Sequence, residues 1–319
     1  MNGASDPRFR SVGEGVYSVD TEFVRPQLDA SHLIVEGGRG AFVDTGTDHS
    51  VPNLLAALQA VGLAVDAVDY ILLTHIHLDH AGGVGRLAEA LPRAKVVVHP
   101  RGAAHLRDPS KLIAATKAVY GEAAYDKFYG EMRAVAADRI VAVEDAERRR
   151  LGRRTLEFMY TPGHALHHLC IVDRDAGAVF AGDTFGVSYR EFDTAAGEFV
   201  FAATTPSQFD PAQLHASVDR IIQLRPKAAY LTHYSRVVEI ARLGADLHAD
   251  IDAYVAIAGR CAEAPERANR IAAELFDHLS ARLDTHGFPS DAALRHELLD
   301  GDVRLNTAGL DAWLSRTAR

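Results

Sequence analysis

Two cysteines, Cys170 and Cys261, are all that 319 residues contain. That is too few for a disulfide framework, and nothing suggests that the two pair. Cys170 lies in an apolar, strand-like segment and reads as a small core residue rather than a nucleophile. A run of eighteen apolar residues is also missing, which argues against a transmembrane helix and a membrane partner. Residues 1–8 lack the apolar core of a secretory signal, so a cytoplasmic location is expected. Basic charge is scarce as well: the formal net charge is −9 and the pI about 6.0. A phosphate-tracking protein is expected to carry a basic stripe. The only dense basic run, Arg148-Arg149-Arg150 with Arg153-Arg154, is flanked by Glu144, Asp145 and Glu147 and reads as a solvated loop between strands. Nucleic acid is therefore not expected as a partner. Internal repeats and low-complexity stretches are absent too.

The remaining composition, 48% hydrophobic and 24% charged, is ordinary for a soluble globular protein. The length suits one large domain with an appendage, or two domains. Short apolar runs alternate with helical patterns over the first 235 or so residues. Strands are expected at 15–20, 30–36, 40–44, 70–73, 95–99, 140–143, 155–160, 168–173, 178–181 and 228–231. Helices are expected at 51–61, 83–91 and from Asp210-Pro211 to 224, with two or three more across 101–132. Such mixed strands and helices point to a layered α/β arrangement. Beyond about Ser235 strand signals give way to helical segments at 245–261, 265–283, 291–299 and 306–315. The expected division is a catalytic domain at 1–238 and an all-helical extension at 239–319, whose apolar faces offer a surface for a homodimer. His248, His278, His286 and His296 fall on these helices with no carboxylate or histidine clustering visible, and read as ordinary helix histidines.

The most informative stretch is Thr74-His75-Ile76-His77-Leu78-Asp79-His80, directly after the apolar run Tyr70-Ile71-Leu72-Leu73. Three imidazoles and a carboxylate in this window would carry a desolvation cost unless something charged holds them. His75 and His77 project to one side of an extended turn. Asp79 and His80 lie past the bend and can serve a second ion about 3.5–4 Å from the first. Imidazole and carboxylate suit zinc, iron or manganese. Further donors stand at the ends of expected strands: His164 in Thr161-Pro162-Gly163-His164, Asp183 after Ala181-Gly182, and His233 after Leu231-Thr232. The glycine before Asp183 would let another backbone approach. Together these make a seven-donor set.

The order His-x-His-x-Asp-His, then His, Asp and His, with Val43-Asp44-Thr45-Gly46 upstream, resembles the metallo-β-lactamase-fold superfamily over roughly residues 12–238. The resemblance implies a four-layer αββα sandwich with metals along one edge of two sheets. It would assign His75, His77 and His164 to one ion, and Asp79, His80 and His233 to the other. Asp183 would bridge both, and Asp44 would steady the ligand loops. Zinc β-lactamases of the best-known type carry Cys where Asp183 stands, and flavodiiron reductases carry Glu where His77 stands. The pattern is most similar to the branch of glyoxalase II-like thioesterases, lactonases and persulfide dioxygenases, although glyoxalase II usually has a third His where Ile76 stands.

Two divalent ions, zinc as the first expectation and iron as the alternative, would lower the pKa of a shared water and polarise a substrate oxygen. The expected activity is hydrolysis of a small-molecule ester, thioester or lactone by a metal-bridging hydroxide held by Asp183. The alternative is an iron-dependent, oxygen-using redox enzyme of persulfide dioxygenase or diiron type. Asp79, Asp183 and Tyr234 are the expected catalytic residues; Tyr234 or Tyr189 could donate to the oxyanion or leaving group, against a packing role for each. His168 is expected to support the site from behind, His167 not to be a ligand, and His99 to be structural. The aromatic stretch 120–129 and the segment 185–209 are expected to wall the pocket.

Overall fold

A computed structural model describes residues 8–205 and 208–317. Two sheets carry the α/β architecture. The first runs in order β1 (Phe9–Gly13), β2 (Val16–Asp20), β3 (Ala30–Glu36), β4 (Arg39–Val43), β5 (Val68–Leu72), β6 (Lys95–Val98) and β7 (Ile140–Ala142). It is antiparallel from β1 to β4 and parallel from β4 to β7. The second runs β13 (Ser235–Val237), β12 (Ala228–Leu231), β11 (Ala178–Gly182), β10 (Leu169–Asp173), β9 (Arg154–Tyr160) and β8 (Arg148–Leu151). The helices are α1 (Val51–Ala60), α2 (Leu78–Ala81), α3 (Val84–Ala90), α4 (Pro100–Arg107), α5 (Ser110–Tyr120), α6 (Glu122–Phe128), α7 (Pro211–Leu224), α8 (Ile240–Cys261), α9 (Arg267–Thr285) and α10 (Ala292–Thr317). This is the anticipated pair of sheets with a C-terminal region of several helices. Among the described residues no helix is long and apolar enough to cross a membrane.

The chain divides into two compact units. The first reaches Tyr160 and adds His167–Gly182 and Lys227–Arg236; the second holds Thr161–Leu166, Asp183–Pro226 and the chain from Val237 onward. In the first unit the central strands are buried on both faces, and their alternation feeds two cores. Val43, Leu72 and Val97 meet Phe158, Ile171 and Phe180 between the sheets. Their neighbours Phe42, Ile71 and Val96 point the other way, onto Leu54 and Leu58 of α1 and Val84 and Leu87 of α3. In the second unit, Leu243, Leu247, Ile251 and Tyr254 of α8 and Leu275, Leu279 and Leu283 of α9 form buried stripes at helical spacing.

Several elements depart from the sequence reading. The arginine-rich segment is not a solvated loop but the edge strand β8. Charged side chains suit an exposed edge, and each arginine has a local partner: Arg148 Nε donates to Glu157 (2.7 Å), Arg149 pairs with Glu147 (2.5 Å), and Arg150 donates to Thr155 Oγ1 (2.7 Å). Arg154 opens β9 almost buried and donates to Asp173 (2.7 Å). The strands β1 and β13 carried no clear pattern. The segments 291–299 and 306–315 are one helix, α10. Gly301 does not break it, and Asn306 is no cap: its side chain accepts from Thr204 N (2.7 Å) and donates to Ala202 O (3.2 Å).

Candidate metal centre

The first histidine cluster is delivered by a strand end and a four-residue helix. β5 stops at Leu72, and His77 is extended (φ −64, ψ 151) before α2 raises Asp79 and His80 on its single turn. His75 and His80 are fully buried, and His75 Nε2 lies 2.7 Å from His77 Nδ1. The other donors come from three further strand ends: His164 after β9, Asp183 directly after β11 and His233 after β12.

These residues gather into two groups. His75, His77, His164 and Asp183 each offer a ligand atom within 4.8 Å of all the others, and Asp79, His80 and His233 do the same. His164 Nε2 lies 3.2 Å from Asp183 Oδ2, and Asp79 Oδ2 lies 3.7 Å from both His80 Nε2 and His233 Nε2. All seven residues expected from the sequence therefore converge.

The donor set fits divalent cations because the imidazoles are held from behind. His80 Nδ1 faces Asp44 Oδ2 (2.8 Å), His233 Nδ1 faces Asp29 Oδ1 (2.5 Å), and His164 Nδ1 faces Ala203 O (3.2 Å). An acceptor behind Nδ1 places the proton there and turns the Nε2 lone pair toward the cluster, the arrangement found behind metal-ligating histidines. Asp44 sits at φ 56, a left-handed conformation that Asp tolerates. Its carboxylate accepts from Thr74 N (2.8 Å), Thr74 Oγ1 (2.8 Å) and Thr232 Oγ1 (3.0 Å) as well. It thus ties together the loops after β4, β5 and β12.

Glycines set two of the turns. Gly182 has φ +48, and a Cβ there would stand 2.5 Å from His168 Nε2 and 2.9 Å from Thr74 Cβ. The close neighbours are thus side chains, not the backbone anticipated from the sequence. Gly163 has φ +131, and a Cβ would meet Leu214 N at 2.3 Å. That contact seats the turn bearing His164, together with the Asp210 N–H bond to Gly163 O (2.8 Å).

The surrounding residues sort differently from expectation in places. The ring of His168 lies 5.0 Å from that of His75, while His167 lies 5.6 Å from His77 and 6.0 Å from His75. His99 caps α4, accepting from Arg101 N (3.1 Å), and packs on Tyr160. Tyr189 is buried and donates to Asp302 (3.1 Å), the packing role rather than the oxyanion role. Tyr234 lies with its ring 5.7 Å from the Arg10 guanidinium. Of the segment 185–209, residues 206–207 lie outside the described residues; in the rest, Phe185, Phe192, Phe201 and Phe209 are fully buried, and Phe192 packs edge-on against Phe199 and Phe288.

Two further residues stand near the centre, of which Asp29 carried no signal in the sequence and Tyr129 belongs to the aromatic stretch expected to wall the pocket. The Asp29 carboxyl is pushed up to about 6 by burial, with His233 opposing. Tyr129 is packed with Phe23, Tyr120 and Tyr125. Burial, reinforced by Tyr120 and then Asp79, holds its phenol above the ordinary value, so it stays neutral.

Comparison with known proteins agrees with this fold. A family model described as the metallo-beta-lactamase superfamily matches residues 26–233. A metallo-beta-lactamase fold-containing protein of Sulfurisphaera tokodaii is 28% identical over 69% of this chain and 78% of its own. A hydroxyacylglutathione hydrolase of Acidiphilium cryptum is 28% identical over 73% of each chain. The solved structure of a metallo-beta-lactamase family protein from Thermus thermophilus superposes with a TM-score of 0.66 at 20% identity, over 97% of this chain and 95% of that one.

Proposed function

Because this chain belongs to the metallo-beta-lactamase superfamily, we propose that it is a dinuclear metal-dependent hydrolase of small-molecule thioesters and related esters or lactones. The observation that carries the reading is the convergence of seven donors in two groups, four and three strong, with acceptors behind the imidazoles. Among the relatives, the hydroxyacylglutathione hydrolase acts, by its name, on an acyl group joined to a thiol; that likeness favours thioesters over the other two classes.

In this reading His75, His77, His164 and Asp183 would hold one ion and Asp79, His80 and His233 the other, with Asp183 expected to serve both. Two divalent cations, zinc in the first instance, would supply a water of lowered pKa and polarise the substrate carbonyl. The chain's own part is to keep that geometry rigid. Asp44 and Asp29 fix two of the rings, and Asp183 is poised beside His164 to orient the attacking water. Tyr234, next to His233, donates to the oxyanion or leaving group. The aromatic set of Phe23, Tyr120, Tyr125 and Tyr129, of which Tyr129 feels the charge of Asp79, would suit an apolar acyl group.

The test is metal content together with turnover on an acylglutathione, an acyl-coenzyme A and a lactone. About two zinc ions per chain, thioester hydrolysis, and loss of both metal and rate in Asp183→Ala are expected. Absence of turnover on all three substrates would refute the hydrolase reading. Iron with a charge-transfer band and oxygen uptake would replace it with the redox alternative.

A further inference from the structure

Helices α7 and α8 carry a second histidine cluster that the sequence reading passed over. His248 is not isolated, as its helical setting suggested: its Nδ1 lies 2.6 Å from Nδ1 of His215. The ring planes differ by 11° and the centres are 4.9 Å apart, so the two imidazoles meet edge to edge. Behind each ring stands a carboxylate from the other helix. His215 Nε2 lies 3.2 Å from Asp252, and His248 Nε2 lies 3.1 Å from Asp219. Each helix contributes a His and an Asp four residues apart, which share one helix face. The crossed pairing, 215 with 252 and 219 with 248, requires the two helices to run antiparallel.

The chemistry follows from the tautomers. A carboxylate accepts only, so each Nε2 must carry the proton it donates. In the neutral rings both Nδ1 atoms are then bare lone pairs aimed at one another. Two lone pairs at 2.6 Å repel unless a cation lies between them. Two carboxylates behind the rings supply negative charge to balance such a cation, and they fix the rings as the acceptors behind metal-ligating histidines do.

We propose that His215 and His248 form a further cation site, a two-imidazole clamp for a first-row transition metal of the Zn2+ or Cu2+ kind. It shares no residue with the seven-donor centre. Metal–nitrogen bonds of about 2.0–2.1 Å at a tetrahedral angle need the nitrogens roughly 3.3 Å apart. Both side chains are a quarter to a third exposed, 29% and 26%, so small χ rotations supply that opening. The same exposure leaves the remaining coordination positions to water. Imidazole donors favour Cu2+ over Zn2+ in affinity. Bound to both helices, the ion pins α7 to α8 and raises the melting temperature by mass action.

The test uses the full chain as purified, with its zinc content measured first, and then Cu2+ added up to one equivalent. Expected are one further tightly held ion, unchanged zinc, and an electron paramagnetic resonance spectrum with hyperfine structure from two nitrogens. His215→Ala and His248→Gln should each abolish the extra uptake while leaving zinc content and melting temperature without copper at wild-type values. Asp219→Asn, which leaves both rings in place, should weaken uptake 10- to 100-fold. Equal copper uptake by the two histidine variants would overturn the proposal, because the ion would then sit elsewhere. So would the lack of any extra ion in the wild type, since the pair would then share only a proton.

Discussion

Asp29→Asn probes whether the second ligand group depends on what lies behind it. Asp29 is fully buried, and its Oδ1 stands 2.5 Å from His233 Nδ1. Fixing the proton on Nδ1 leaves Nε2 turned toward Asp79, 3.7 Å away. Asparagine keeps the shape and an acceptor oxygen but removes the charge that makes the imidazole a stronger donor. Losing such a carboxylate typically weakens metal binding 10- to 100-fold, about 1.4–2.8 kcal/mol. The loss should fall on the Asp79–His80–His233 group and spare the group of four, which Asp29 does not back. Since the Asp29 carboxyl is pushed up to about 6 by burial, against the pull of His233, the assay belongs at pH 8, where the wild-type residue is ionised. Stepwise dialysis against a chelator, with metal content read at each step, should find a chelator concentration at which the variant retains one ion and the wild type two. Equal retention, or loss of both ions together, would refute a role for Asp29 through His233.

Other perturbations test the frame around the site. His32 is buried between Phe180 and Tyr230, and burial lowers its pKa from 6.5 to about 4. The unfolded chain then binds the proton first, so stability falls as pH drops from about 6.5 toward 4. His32→Leu should remove roughly 2 kcal/mol of the loss seen between pH 7 and pH 5 in urea unfolding, and parallel pH profiles for variant and wild type would contradict this. Asp250 in α8 is fully buried and bonded to His278 (2.8 Å), Arg282 and Ala202 N (3.3 Å). Asp250→Ala strands the Arg282 charge and should cost about 3 kcal/mol, read as a lowered urea midpoint; a change under 1 kcal/mol would argue against the network. Gly163→Ala places a methyl 2.3 Å from Leu214 N, so the His164 turn must shift. A displacement near 1 Å costs roughly 100-fold in rate, and wild-type kcat/KM in this variant would mean that the turn tolerates the clash.

What the sequence disclosed follows how each contact is made. The seven donors were legible because strand ends deliver them, and a strand end can be read from an apolar run that stops. The central strands were legible because alternate residues such as Phe42 and Val43 feed two different cores. The edge strands β1, β8 and β13 were not: β8 hides behind three arginines whose partners, Glu147, Thr155 and Glu157, become visible only once the hairpin with β9 is paired. Asp29 is hidden for a stronger reason. It reaches His233 because Ala30 N donates to Thr232 O at 2.8 Å, joining the start of β3 to the end of β12 across two hundred residues of chain. The His215–His248 pair has the same origin, since each helix alone offers only a His and an Asp one turn apart, a common and uninformative spacing. Only the antiparallel register of α7 on α8 turns two such pairs into facing nitrogens with crossed carboxylates. Ligand identity is thus written locally, whereas the groups that orient ligands are set by register between distant elements. For that reason substitutions at Asp29, Asp219 and Asp252 discriminate more sharply between the readings of this chain than further substitutions in the histidine motif would.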